Sequence, residues 1–166
     1  EVTAPEARNF YSFQGLIENV HALTYASLLD TLVTDEDKKQ KLFNSIDTIP
    51  CVKKKADWAM KWMNPETDVF EQRLVAFACV EGIFFSGSFC AIFWLKDRGL
   101  MTKALGGSNE LIARDEGLHT DFAILLHEHL NNKLDLSIIR EIIMEAVDIE
   151  KEFICDSLKC DLIGMN

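Results

Sequence analysis

Glu18-Asn19-Val20-His21 and Glu116-Gly117-Leu118-His119 repeat one pattern, Glu-x-x-His, in two distant parts of the chain. Residues three apart share a helix face, so each copy aims a carboxylate and an imidazole in the same direction. Two such helices packed together offer a metal pair two carboxylates and two nitrogen donors, and further Glu residues on two more helices complete such a bundle site. One copy alone carries little weight, because a surface Glu and a packed His meet at this spacing by chance. Two copies use two of only four histidines. They make a helical sequence a candidate metal protein.

The surrounding sequence reads as helix after helix, with no convincing alternating strand and only three prolines. Thr3-Ala4-Pro5-Glu6 has the form of a capping box with proline in the first turn. The helix it opens is expected to run to about Leu32, carrying Phe10, Phe13, Ile17, Val20, Leu28 and the first motif. Thr34, followed by Asp35, Glu36 and Asp37, marks a second start, and a third helix is expected from Pro50 to just before Asn64-Pro65. Thr67 or Asp68 is expected to cap a long apolar helix that Gly99 ends. Gly106-Gly107-Ser108 reads as a break and cap for a helix running to about Leu130 with the second motif. A last helix spans roughly Leu136 to Leu158. The pattern predicts an all-α bundle with no internal repeat beyond the paired motif.

At 166 residues the chain is long enough to bury a real core. A net charge of −10 argues against a nonspecific grip on nucleic acid, which needs clustered cations. The short run Lys53-Lys54-Lys55 reads as a solvated helix face. Five cysteines, Cys51, Cys79, Cys90, Cys155 and Cys160, include no C-x-x-C pair, so reduced thiols in a cytoplasmic protein are expected. Glu1 to Arg8 is polar, without the look of a signal peptide. Leu74 to Leu95 holds one charge, Glu81, and by count alone is long enough to span a bilayer. Glu81 sits well inside it, where a charge is expensive in lipid, and a helix buried within a bundle explains the same composition. No membrane role is expected.

Glu81 adds a third helix to the metal hypothesis. A buried unpaired carboxylate is costly or becomes protonated, and a divalent metal relieves that cost; a protonated acid or a pair with Arg114 are the alternatives. Mixed carboxylate and imidazole donors suit iron or manganese better than thiolate-loving metals. Glu18, Glu81 and Glu116 supply three carboxylates, and no convincing fourth ligand is found. His127 and His129, two apart near a helix end, read as surface residues.

Longer segments carry a resemblance. Glu18-Asn19-Val20-His21 with Tyr25, Val80-Glu81-Gly82-Ile83-Phe84-Phe85-Ser86-Gly87-Ser88-Phe89, and Ser108-Asn109-Glu110-Leu111-Ile112-Ala113-Arg114-Asp115-Glu116-Gly117-Leu118-His119 resemble the small subunit of class I ribonucleotide reductase. Pro50-Cys51-Val52-Lys53-Lys54-Lys55-Ala56-Asp57-Trp58 and Leu162-Ile163-Gly164-Met165-Asn166 resemble its eukaryotic form. The resemblance covers essentially the whole chain. It implies a ferritin-like helical domain over residues 1–166, an internal fragment without the family's upstream helices and C-terminal tail.

The same resemblance implies that Glu18, His21, Glu81, Glu116 and His119 bind two iron ions, a di-iron-oxo centre, in preference to manganese. It makes Tyr25 the residue oxidised to a stable radical when the reduced centre meets dioxygen. Phe85, Phe89 and Ile112 would form the apolar pocket around that radical, although ordinary core packing asks for the same residues. Asp115 would accept from the ring N–H of His21 and belong to the radical-transfer route. An aspartate ligand and a route tryptophan lie upstream in the family; Trp58, Trp62 and Trp94 stand in other segments. The implied partners are a large reductase subunit and a second small subunit. Another di-iron oxidase or oxygenase, or a non-catalytic iron-binding bundle, are the competing readings, and Tyr25 separates the first of these from the reductase.

Overall fold

The computed structural model describes residues 2–159. Cys160 and the Leu162–Asn166 segment of the resemblance lie outside the described residues, as does Glu1. All regular structure among the described residues is helical, as the periodicity predicts. The chain divides into two compact units, Glu1–Thr48 and Ile49–Asn166.

The first unit holds α1 (Pro5–Leu32), α2 (Glu36–Phe43) and the short α3 (Ser45–Thr48). Pro5 occupies the first helical position behind Ala4, whose side chain has no oxygen to cap with. Thr3 therefore lies one residue too far upstream, and the expected capping box does not form. Helix α2 is capped by Asp35, one residue after the expected Thr34, and its carboxylate accepts from the Lys38 amide at 3.0 Å. Lys39 joins the end of α1 to α2, with its ammonium 2.9 Å from Asp30 and 3.0 Å from Glu36.

The second unit holds α4 (Pro50–Trp62), α5 (Phe70–Gly82), α6 (Ser86–Asp97), α7 (Leu105–Glu128) and α8 (Leu136–Ser157). Helix α5 packs on α4, α7 and α8, and α6 packs on α7 and α8. The core gathers Trp58 and Trp62 from α4, Val75, Ala76 and Cys79 from α5, Phe84, and Ile142 and Ala146 from α8. Burial pushes the Cys79 thiol up to about 11, so it stays protonated. Cys51, Cys79, Cys90 and Cys155 are all free thiols.

Three boundaries of the second unit differ from the sequence expectation. The long apolar helix is two helices, interrupted at Ile83–Phe85, and Val69 rather than Thr67 or Asp68 caps it, its N–H donating to Gln72 at 3.3 Å. Phe70–Asp97 is long and apolar enough to cross a membrane by composition, but its first half is packed into this core. Gly99 ends α6 as expected, at φ +74°, and the Leu100 N–H returns to the Leu95 carbonyl at 3.0 Å. Helix α7 starts at Leu105, so Gly106-Gly107-Ser108 forms its first turn instead of preceding it. A Cβ on Gly106 would stand 3.1 Å from the Lys96 side chain, which would have to shift by a few tenths of an ångström to admit it.

One carboxylate of α8 takes three partners from α4. Glu145 Oε2 accepts from the indole N–H of Trp58 at 3.0 Å and of Trp62 at 2.9 Å, with Lys61 at 3.2 Å. Partial burial pushes the Glu145 carboxyl up, but the hydrogen bonds from Trp62, Lys61 and Trp58 outweigh it and hold the group below its ordinary value. A carboxyl depressed in the folded state contributes stability above its unfolded pKa, and that contribution is lost as pH falls through the folded value. Glu145→Gln is therefore expected to lower the melting temperature at pH 7. The gap to wild type should close as the pH falls below about 4.3, the unperturbed Glu value; a pH-independent gap in thermal melts would contradict this.

Candidate metal centre

In the second unit, α5 carries Glu81 in its last turn, and α7 carries Glu116 and His119 one turn apart near its middle. The backbones approach closely at this level: a Cβ on Gly82 would stand 3.0 Å from the Thr120 methyl. Thr120 in turn donates its hydroxyl to the Glu116 carbonyl at 2.9 Å, which turns it back along α7. Glu81, Glu116 and His119 are 6%, 4% and 3% exposed. His119 Nδ1 lies 3.4 Å from Glu81 Oε2 and 3.3 Å from Glu116 Oε2. One ligand atom from each of the three lies within 4.8 Å of the others.

That geometry poses an electrostatic problem. One ring nitrogen carries at most one proton, so it cannot donate a good hydrogen bond to two carboxylates at once. Two buried carboxylates this close repel, and one of them must be neutralised or share a cation. A divalent metal answers both needs, and two carboxylates with an imidazole are donors that iron and manganese accept. The donor set fits the implied metal. The alternative of a Glu81–Arg114 pair does not hold: Arg114 is exposed, with its guanidinium 3.9 Å from Asp115.

In the first unit, α1 carries the other motif copy and Tyr25. His21 is buried, and its Nδ1 lies 3.6 Å from Oε1 of the partly exposed Glu18. Tyr25 follows one turn later and is half-buried. Of the apolar residues in the second unit, Ile112 is buried, Phe89 is half-buried and Phe85 is 36% exposed. The Phe85 and Phe89 rings pack at 6.0 Å between centroids. Asp115 is half-buried beside Glu116. His129 is exposed, as expected, while His127 is half-buried and lines an apolar cleft with Gly82, Thr120 and Ile143. The contributions of Gly82 and Thr120 escaped the sequence, since only the packing of α5 on α7 brings them together.

The family model "Ribonucleotide reductase, small chain" matches residues 1–166. The chain belongs to this family. Ribonucleotide reductase small chains with similar sequences include the ribonucleoside-diphosphate reductase small subunit of Dictyostelium discoideum, 63% identical over 166 residues, and the small chain of Trypanosoma brucei brucei, 62% identical over 167. All of this chain is covered, against 48% and 49% of those proteins. The chain thus spans about half the length of the relatives it matches. Among solved structures, the ribonucleotide reductase Rnr4 homodimer from Saccharomyces cerevisiae aligns with a TM-score of 0.85 at 41% identity, over 98% of this chain and 51% of that one. The all-α architecture is accordingly the ferritin-like helical fold of the small-chain family.

Proposed function

We propose that this chain is part of the radical-generating small subunit of a class I, eukaryotic-type ribonucleoside-diphosphate reductase. The buried convergence of Glu81, Glu116 and His119 carries the reading, together with a second Glu-x-x-His and Tyr25 on α1. Glu18, Glu81 and Glu116 would balance the charge of two iron ions, and His21 and His119 would add neutral nitrogen donors. When bound, the iron supplies the oxidising equivalent, drawn from dioxygen, that removes an electron and a proton from a tyrosine.

Tyr25 gives up that phenolic hydrogen and holds the radical. Asp115 would accept from the ring N–H of His21 and so fix its tautomer. Ile112, Phe85 and Phe89 would keep water and small reductants from the radical. The oxidising equivalent then passes to a large subunit, where ribonucleotides are reduced to deoxyribonucleotides, and the substrate nucleotide does not bind this chain. Pairing with a second small subunit and a cytoplasmic location complete the proposal.

The test is a subunit of its relatives' length, loaded with ferrous iron and exposed to dioxygen. A tyrosyl signal in the electron paramagnetic resonance spectrum, with about two irons per chain, is the expected result. Iron without the radical would favour another di-iron oxidase, and neither would leave a non-catalytic bundle.

A further inference from the structure

The interruption between α5 and α6 is held from outside by two residues distant in sequence. At the break the Phe84 N–H reaches five residues back, to the Cys79 carbonyl at 3.2 Å, and the Ser86 N–H turns to the Ile83 carbonyl at 3.0 Å. Lys55, from α4, donates to the Phe84 carbonyl at 2.6 Å. Glu150, from α8, accepts the Gly87 N–H through Oε1 at 3.0 Å. The two side chains join as an ion pair, Lys55 Nζ to Glu150 Oε2 at 2.5 Å, with only 13% and 8% of their surfaces exposed. The Lys55 ammonium also lies 3.4 Å from the centroid of the Phe153 ring.

Burial pulls that ammonium below its ordinary value, while Glu150 acts in the opposite direction. The solvated face expected for the lysine run thus describes Lys53 and Lys54, whose partners Asp57 and Glu152 are exposed, but not Lys55. Gly87 lets Glu150 and α8 come this close, since a Cβ there would overlap Ile154 Cδ1 and stand 2.8 Å from Glu150 Oε1. Removing either charge from a buried pair leaves the other uncompensated, which is strongly unfavourable.

The break lies just beyond Glu81 and leads into the Phe85–Phe89 pair. Each residue added to or taken from a helix rotates the next segment by about 100°, so the form of the break sets where the phenylalanines stand relative to the Glu81 carboxylate. We propose that Lys55 and Glu150 are positioning residues that hold the α5–α6 break and thereby fix Glu81 against the Phe85–Phe89 pair. The proposal rests on the reading of Glu81 as an iron ligand beside a tyrosyl radical.

Two measurements on the relatives-length subunit test it, using Lys55→Met, Glu150→Gln and, as a control, Lys54→Met, which removes only the exposed pair with Glu152. In the iron-free protein, Lys55→Met should speed hydrogen exchange at the Gly87 amide about tenfold. The effect should be smaller in Glu150→Gln, which keeps an acceptor for that amide, and absent in the control. In the iron-loaded protein, both variants should shorten the lifetime of the tyrosyl radical about threefold or more at equal iron content, since a loosened support misplaces the site it holds. If Lys55→Met does not fold, the near-isosteric Glu150→Gln decides. Exchange equal to wild type in both variants overturns the holding role, and faster exchange with an unchanged radical lifetime overturns the positioning role. A wild-type protein with no radical overturns the reductase reading and the link to the iron site with it, while the exchange data still judge the ion pair.

Discussion

Tyr25→Phe is expected to abolish the tyrosyl signal while leaving about two irons per chain and the melting temperature unchanged. The substitution keeps the ring and removes only the phenolic O–H, the bond whose hydrogen is lost when the radical forms. Tyr25 is half-buried on α1, one turn beyond His21. The chain's other tyrosine, Tyr11, lies on the same helix roughly 21 Å away along its axis at 1.5 Å per residue. It cannot take over the role by a side-chain rotation. A full signal in Tyr25→Phe would place the radical elsewhere, and a lost signal with lost iron would make Tyr25 a structural support.

Ile142→Ala should cost the second unit about 2–5 kcal/mol, whereas Ile142→Val should cost only about 0.5–1.5 kcal/mol. Ile142 is among the largest fully buried side chains of the structure and belongs to the cluster of Trp58, Trp62, Ala76 and Phe84. Close-packed interiors collapse only partly around a deletion, so the loss combines transfer and cavity terms. Urea titration followed by helical circular dichroism measures both variants. A loss below about 1 kcal/mol for the alanine variant would mean that the cluster repacks. Phe84 lies in the cluster and at the α5–α6 break, so Ile142→Ala is also expected to loosen the break.

The helices were readable because their apolar periodicity is local, and part of the buried carboxylate–imidazole cluster because Glu116 and His119 stand at a spacing that the helix turns into geometry. Glu81 was conspicuous as the lone charge in an apolar run. The break after Gly82 was not readable, because Ile83, Phe84 and Phe85 continue the apolar pattern and a uniformly apolar run has no periodicity to interrupt. Its supports, Lys55 and Glu150, lie 29 residues before Phe84 and 63 beyond Gly87. Composition assigned Lys55 to a surface face, since three successive lysines nearly always lie in water, and only the packing of α4 and α8 around the break places it inside. The caps erred by one residue at Ala4 and Asp35 for a similar reason: several polar residues compete at each start, and the backbone selects one.

The break also changes the electrostatics of the apolar run. One unbroken helix would carry its positive end near Val69 and its negative end near Arg98, both remote from the core. Two helices instead create a second pair of poles in the interior, the negative end of α5 at Gly82 and Ile83 and the positive end of α6 at the Gly87 amide. The Glu150 anion meets the positive end of α6 through the Gly87 N–H, while the Lys55 cation is held by the Phe84 carbonyl in the turn that follows α5. Each pole of this kind is worth up to about 2 kcal/mol in a partly buried setting, so the polarity of the pair matters as well as its existence. A Lys55→Glu/Glu150→Lys exchange would preserve the attraction between the two side chains but set a cation against the Gly87 amide and an anion against the Phe84 carbonyl.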